Sequence, residues 1–342
     1  MIPRGALVTE CSGILTYGEV RAGKLSPVSF ELLGIGRRLA DTRGGELSMV
    51  LIDRQAESCS QDAIAYGADR VYLIEDAPTD HFEGASFTAI MEKLCADTVK
   101  PAVVLLGQTA TGRDLAPRIA FRLRAGLVTD CIGLDLDPQT QNLVATKPVS
   151  GGNVLATYTV KQGGPQIATI RRRAMETPER DDGRQGEIVS LPAGVDASAV
   201  RTTLVERVLQ EQSEGPSLES AEIVVAGGRG IGSAEDFQRY ITDGLADALG
   251  AAVGGTRGAV DAGLISEQQQ VGLTGKIVGP DLYFAVGVSG ALQHMAGCSG
   301  SKNIVAINTD ENAQIFRFAK FGIVGDYKQV LPALIEKLEE LR

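Results

Sequence analysis

Short apolar runs alternate with amphipathic stretches along most of this chain, the pattern of parallel strands joined by helices. In the second half the runs are Ile223–Ala226, Ala251–Val253, Lys276–Val278, Leu282–Val288, Asn303–Ile307 and Gly322–Val324. Helices are predicted over Ala234–Leu249, Gly290–Ala296, Gln314–Phe318 and Tyr327–Leu341. The first half reads as its own α/β unit. Its predicted strands are Ala6–Thr9, Glu46–Leu51, Arg70–Ile74 and Ala102–Leu106, with several β-rich segments over Ala125–Ile170 that include Val154–Val160 and Gln166–Ile170, and helices over Pro27–Thr42, Ser60–Tyr66, Ser86–Val99 and Gly112–Leu123. Val200–Val208 is a further candidate strand. The polar stretch Gln210–Ser220 reads as a linker, so the expected domains are 1–210 and 211–342.

Small and polar residues follow most of the apolar runs in the second half. They are Gly227-Gly228-Arg229-Gly230, Gly255-Thr256-Arg257, Gly287-Val288-Ser289-Gly290, Asn308-Thr309-Asp310 and Gly325-Asp326. In a doubly wound parallel sheet such residues collect at the carboxyl edge, where ligands bind. Two arginines, hydroxyls and unpaired N–H groups there suit a large anion, and a dinucleotide is the natural candidate. A strict G-x-G-x-x-G is absent, because Ser233 stands in the last position counted from Gly228. What remains is a glycine-rich strand-to-helix turn, which serves either a phosphate or a tight protein contact. Arg257 either snorkels to water or lies beside an aromatic ring system and the turn Gly272-Leu273-Thr274-Gly275. Ser289, Gly290 and Ala291 are predicted to open a helix towards the ligand, with His294 in its first turns. The alternative for His294 is a satisfied structural imidazole. Asp310 and Asp326 precede predicted helices and can cap them, the role preferred for Asp310.

Composition narrows the choice. A formal charge of −10 argues against a general nucleic-acid binder, and Arg171-Arg172-Arg173 is the only basic run. That run is either a solvated strand end or a contact to an acidic group. No window approaches the apolar length of a membrane span, and no secretory or mitochondrial leader is legible. The five scattered cysteines contain no C-x-x-C, and with two histidines they offer no local zinc or iron–sulfur motif. A reducing cytoplasm is the expected setting.

These residues, in this order, resemble the α subunit of electron transfer flavoprotein (the FixB family) over essentially the whole chain. The motifs that carry the resemblance are Val271–Lys276, Leu282–His294, Ala306–Asn308, Pro27–Asp41, Gly107–Arg118 and Gly151–Thr157. The resemblance implies an N-terminal nucleotide-hydrolase-like α/β lobe that contacts a β subunit. It also implies a C-terminal doubly wound parallel-sheet lobe that holds one extended FAD. By the family's pattern Arg229 and Ser289 hold the pyrophosphate, and Asn308 and Asp326 meet the adenosine half. Arg257 lies over the flavin ring, Thr274 near its N5 and His294 near its N1/O2 edge, so these three act on the redox chemistry. Thr256, Val271, Gly272, Leu273, Gly290, Ala291, Leu292, Gln293 and Tyr327 complete the expected cofactor contacts. Two departures stand out: Leu273 replaces a frequent glutamine, and Thr256 a frequent serine. No ferredoxin-like extension precedes Ala6.

The implied function is an electron carrier rather than an enzyme. It takes electrons from flavin dehydrogenases, such as those of acyl-CoA, and passes them to an acceptor such as a quinone oxidoreductase. The alternative is one half of a bifurcating complex, in which NADH oxidation is coupled to reduction of ferredoxin and an acyl-CoA. A third reading, an adenylate-binding module without redox chemistry, uses the same sheet edge.

Overall fold

A computed structural model describes residues 11–79, 81–149, 154–160, 164–195, 200, 202–206, 216–218 and 221–340. The chain divides into two compact units, one drawn from residues 1–148 and 155–207, the other from 149–154 and 208–342.

The first unit begins with β1 (Ile14–Gly18), a hairpin of β2 (Val20–Arg21) and β3 (Lys24–Leu25), and α1 (Pro27–Arg43). Pro27 sits in the first turn of α1, and Gly44, at φ 71°, closes it in the left-handed conformation. Then come β4 (Leu47–Ile52), α2 (Glu57–Ala65), β5 (Arg70–Ile74) and α3 (Gly84–Lys93), which runs on into a π-helical turn, Leu94–Thr98. β6 (Val103–Gly107) leads to α4 (Ala110–Leu123), capped by the Thr109 hydroxyl, which accepts from the Gly112 N–H at 3.0 Å. β7 (Gly126–Cys131), β8 (Gly133–Leu136), β9 (Leu143–Val149), β10 (Val154–Thr159), β11 (Gln166–Ile170) and β12 (Glu187–Ser190) complete the unit.

Seven strands form one sheet in the order β12-β5-β4-β1-β6-β11-β7, parallel at every pairing. Alternate side chains feed opposite faces: Ile14, Met49 and Leu51 pack with α1 and α2, whereas Leu15, Val50 and Ile52 pack with α3 and α4. β8, β9 and β10 form a separate small sheet.

The second unit contains β13 (Ile223–Gly227) and a continuous helix over 234–249. That helix is made of α5 (Ala234–Asp236), a π-helical stretch Phe237–Ala246 and α6 (Asp247–Leu249). β14 (Ala252–Gly255), α7 (Arg257–Asp261), β15 (Leu282–Val286), α8 (Leu292–Cys298), β16 (Asn303–Asn308), β17 (Phe321–Val324) and α9 (Tyr327–Glu340) follow. The five strands are parallel in the order β14-β13-β15-β16-β17. Phe237, Ile241, Leu245, Tyr327 and Leu331 cover one face of this sheet; Met295 and Cys298 of α8, with Ile315, cover the other. From β13 the chain thus leaves towards one face, and from β15 towards the opposite one. The crevice of a doubly wound sheet opens between two such strands.

Some sequence expectations need correction. β1 and the edge strand β12 were not predicted, and the predicted strand Ala6–Thr9 lies outside the described residues. Residues 202–206 are not strand. Lys276–Val278 is not a strand of the sheet: Lys276 makes only an isolated bridge to Val271, and Val278 donates to the Gly297 carbonyl of α8 at 2.7 Å. The helix expected from Gly290 begins at Leu292, with Gly290 at φ 83° and the place of any Cβ there filled by the Ile315 nitrogen, 2.2 Å away. Ser289 therefore stands ahead of the helix rather than within its first turn. The basic run is resolved at Arg171, whose guanidinium makes two bonds to Asp130, at 3.0 and 2.7 Å.

Candidate cofactor site

The turns after β13 and β15 press against each other at the crevice. A Cβ on Gly228 would lie 2.0 Å from the Gly287 oxygen, so only glycine lets the two turns pass. A cavity opens on each side of this crossing, and both are lined by Gly230 and Gly287.

The larger cavity, about 650 Å³, is bounded by Arg229, Thr256, Arg257, Val271, Gly272, Leu273, Thr274, Ser289, Ala291, Gln293 and His294 among the expected residues. The smaller, about 390 Å³, takes in Asn308, Asp326 and Tyr327. Gly290 and Leu292 line neither; Gly290 packs on Ile315, and Leu292 begins α8 with its side chain exposed. The sequence reading missed Gln270, Gly258 and Asp261 in the larger cavity and Asp236 and Lys328 in the smaller. Gln270 carried no signal beyond its nearness to Val271, because a glutamine in a polar run looks solvated.

Each cationic or polar group has a definite setting. Arg257 opens α7 and is exposed, 3.5 Å from Asp261 one turn on. Thr256 caps that helix, its hydroxyl accepting from the Ala259 N–H at 3.2 Å. Gln270, itself buried, donates its amide to Thr274 Oγ1 at 2.9 Å. The Thr274 hydroxyl proton is thereby left to donate to a ligand. The Leu273 side chain is 65% exposed, and its N–H donates to the Gln293 carbonyl at 2.7 Å. The turn can lie against α8 because Gly297 offers no side chain; a Cβ there would sit 2.3 Å from the Gly272 nitrogen.

His294 is buried beneath this turn, and both its ring nitrogens are engaged. Nδ1 lies 2.9 Å from the Val271 carbonyl, and Nε2 lies 3.0 Å from the Tyr283 hydroxyl. A carbonyl only accepts, so Nδ1 carries the hydrogen. Burial lowers the imidazole to about 4, outweighing the Val271 bond, which acts the other way. A neutral ring then accepts the Tyr283 proton at Nε2.

In the smaller cavity Asn308 donates from Nδ2 to the Val288 carbonyl at 2.8 Å, and its Oδ1 accepts from the Asp310 N–H at 3.0 Å. Asp326 accepts from the Lys328 N–H at 2.9 Å and so opens α9. Asp310 accepts from the Asn312 N–H at 2.9 Å, which closes a turn where a helix start was expected. Tyr327 donates to the Ile231 carbonyl at 2.8 Å and fixes the first glycine-rich turn to α9. Burial, with Asp236 beside it, raises this phenol to about 12.

Fold and site together define a protein with a cofactor lobe in which two cavities meet over the switch point of a parallel sheet, one end rich in cations and hydroxyls. The Electron transfer flavoprotein domain matches residues 14–196, and the Electron transfer flavoprotein FAD-binding domain matches residues 217–299. The electron transfer flavoprotein subunit alpha of Thermoanaerobacterium thermosaccharolyticum is 44% identical, covering 98% of this chain and 100% of the relative. That of Megasphaera elsdenii is 41% identical, over 97% and 98% of the two chains. Protein FixB of Azotobacter vinelandii is 42% identical, over 93% and 88%. The chain belongs to the electron transfer flavoprotein α-subunit family, and its cofactor is FAD. Among the described residues no helix is long and apolar enough to cross a membrane, and no group of three or more histidine, cysteine or acidic residues is placed to hold a metal ion.

The residues present fit FAD in size and chemistry. Two neighbouring cavities that share Gly230 and Gly287 offer room for an elongated molecule with a ring system at each end.

Proposed function

We propose that this chain is the FAD-carrying α subunit of a heterodimeric electron transfer flavoprotein, paired with a β subunit through its first unit. It takes electrons from a flavin dehydrogenase and passes them to a separate acceptor in a reducing cytoplasm. The single observation that carries the reading is the pair of cavities meeting at Gly230 and Gly287. The flavin ring belongs in the larger one and the adenosine in the smaller, with the pyrophosphate at the glycine crossing beside Arg229 and Ser289.

FAD supplies the ring that accepts and releases electrons; the chain supplies position and charge. Arg257 brings a fixed positive charge to the ring end, and Asp261 tempers it from 3.5 Å. Gln270 holds the Thr274 hydroxyl so that its proton points to the ligand. Leu273 keeps the mouth apolar and limits water. Asp326 keeps one carboxylate oxygen for the adenosine end.

The two ends predict different failures. In the complex with its β subunit, Arg257→Ala should shift the flavin's potential and absorbance while FAD stays bound. Asp326→Ala should weaken FAD about tenfold or more, the value of a lost charge-assisted hydrogen bond, with the potential unmoved. Titration with FAD and spectroelectrochemistry read both quantities, and identical effects from the two variants would overturn the placement. One FAD per heterodimer identifies a simple carrier; two, with oxidation of NADH, identify a bifurcating complex.

A further inference from the structure

Beneath the larger cavity, Tyr283, His294 and Cys298 from two elements pack together, with His294 bonded to the other two through its ring and its carbonyl. Tyr283 of β15 is fully buried and places its hydroxyl 3.0 Å from His294 Nε2. Cys298, one turn after His294 on α8, is buried in the same cluster as Tyr283 and donates its thiol to the His294 carbonyl at 3.6 Å. The register of β15 within the sheet turns Tyr283 towards α8, since Tyr283 and Ala285 share the face on which Met295 and Cys298 pack.

Counting donors and acceptors gives two complete arrangements. With His294 neutral, its Nδ1–H donates to Val271 and its Nε2 accepts the Tyr283 proton. With one proton added, Nε2–H donates instead to the Tyr283 oxygen. The hydroxyl hydrogen then turns to Cys298 Sγ, and the thiol hydrogen stays on the His294 carbonyl. No polar atom loses a partner in either arrangement, so the usual penalty for an unsatisfied buried donor is avoided. One proton is gained from solvent, and no covalent bond other than N–H forms.

We propose that Tyr283 and Cys298 act as a hydroxyl–thiol relay that lets buried His294 take up one proton when negative charge builds in the cavity above it. Tyr283 and Cys298 are positioning residues: they act through His294 and touch no cofactor. The proposal rests on the flavin ring lying in the larger cavity. Resting His294 is neutral, since burial at about 4 leaves about one ring in a thousand charged at neutral pH. Charge in the cavity must therefore shift the proton equilibrium by about a thousandfold to charge half the rings. The other charged groups that line this space are Arg229, Arg257 and Asp261, while Tyr283 meets the imidazole from beneath and Cys298 the His294 carbonyl.

The test uses the heterodimer with isotope-labelled imidazole nitrogens in this chain only. Its two histidines give two resolvable sets of signals, with His81 as the internal reference. In the oxidised complex His294 should show the neutral pattern, protonated at Nδ1; on reduction both nitrogens should move to the imidazolium pattern. Tyr283→Phe, which keeps the ring volume, should hold His294 neutral on reduction, lowering its charged fraction about tenfold or more. It should also remove about one proton from the uptake that accompanies reduction. Cys298→Ala should act in the same direction and Cys298→Ser should restore the wild-type response. A His294 that stays neutral in the reduced wild type, or a Tyr283→Phe complex that charges normally, overturns the relay. If adding FAD to the flavin-free heterodimer leaves the His294 signals unmoved, the ring placement fails and the relay with it.

Discussion

His294 shows how one buried residue couples to pH through simple linkage. Its imidazole titrates at about 4 in the folded chain against 6.5 in an unfolded one. Above the unfolded value both states are neutral there, and the contribution to stability is fully present. As pH falls from 6.5 towards 4, the unfolded chain binds a proton that the folded chain refuses, and stability is lost. The loss is about 3 kcal/mol by the time the folded value is reached. Urea unfolding of the FAD-free protein across that range should show this slope in the second unit, and His294→Gln should flatten it by that amount. A smaller effect belongs to Tyr327: with Phe in its place the buried Ile231 carbonyl loses a donor, costing about 1–3 kcal/mol in chemical denaturation.

At the scale of elements, α8 and the 271–276 turn are joined by contacts that no single stretch of sequence displays. Gly297→Ala would put a methyl 2.3 Å from the Gly272 nitrogen, so helix and turn must part. The expected outcome is about 1–3 kcal/mol of destabilisation and weaker FAD binding, with far-ultraviolet circular dichroism unchanged. Gly300→Ala meets only ordinary contacts, the nearest at 3.8 Å, and should be close to neutral in both measurements.

The same elements show what sequence can carry. Arg70–Ile74 and Gln166–Ile170 were legible to the residue because each is a compact apolar run with clear stops. Glu187–Ser190 was not, since an edge strand half open to water reads as polar loop. Lys276–Val278 misled in the other direction, because Val278 is apolar for packing in the core under α8 rather than for strand pairing. At the site, most glycine, hydroxyl and arginine positions expected from pattern and resemblance line the two cavities. The partners that fix them could not be named: Tyr283 reaches His294, and Gln270 reaches Thr274, only after strand register and turn geometry are set.

For the whole molecule, division into two compact units separates stability from ligation. FAD held by the second unit should raise the melting transition of that unit alone. The gain is about 2.7 kcal/mol when free FAD stands at a hundred times its dissociation constant. Differential scanning calorimetry of the flavin-free and loaded protein should show one transition move and the other stay. Movement of both by the same amount would mean that the units unfold together.

The Gly230 and Gly287 backbone shared by the two cavities has a kinetic consequence for the proposed FAD placement. A ligand gripped on either side of Gly230 and Gly287 is a tethered pair of weak binders, each raising the local concentration of the other. Release then requires both ends to let go before either rebinds, so spontaneous exchange should be slower than that of either half alone. Free AMP, by capturing the vacated adenosine seat during a partial detachment, should hasten departure of the cofactor in proportion to its concentration.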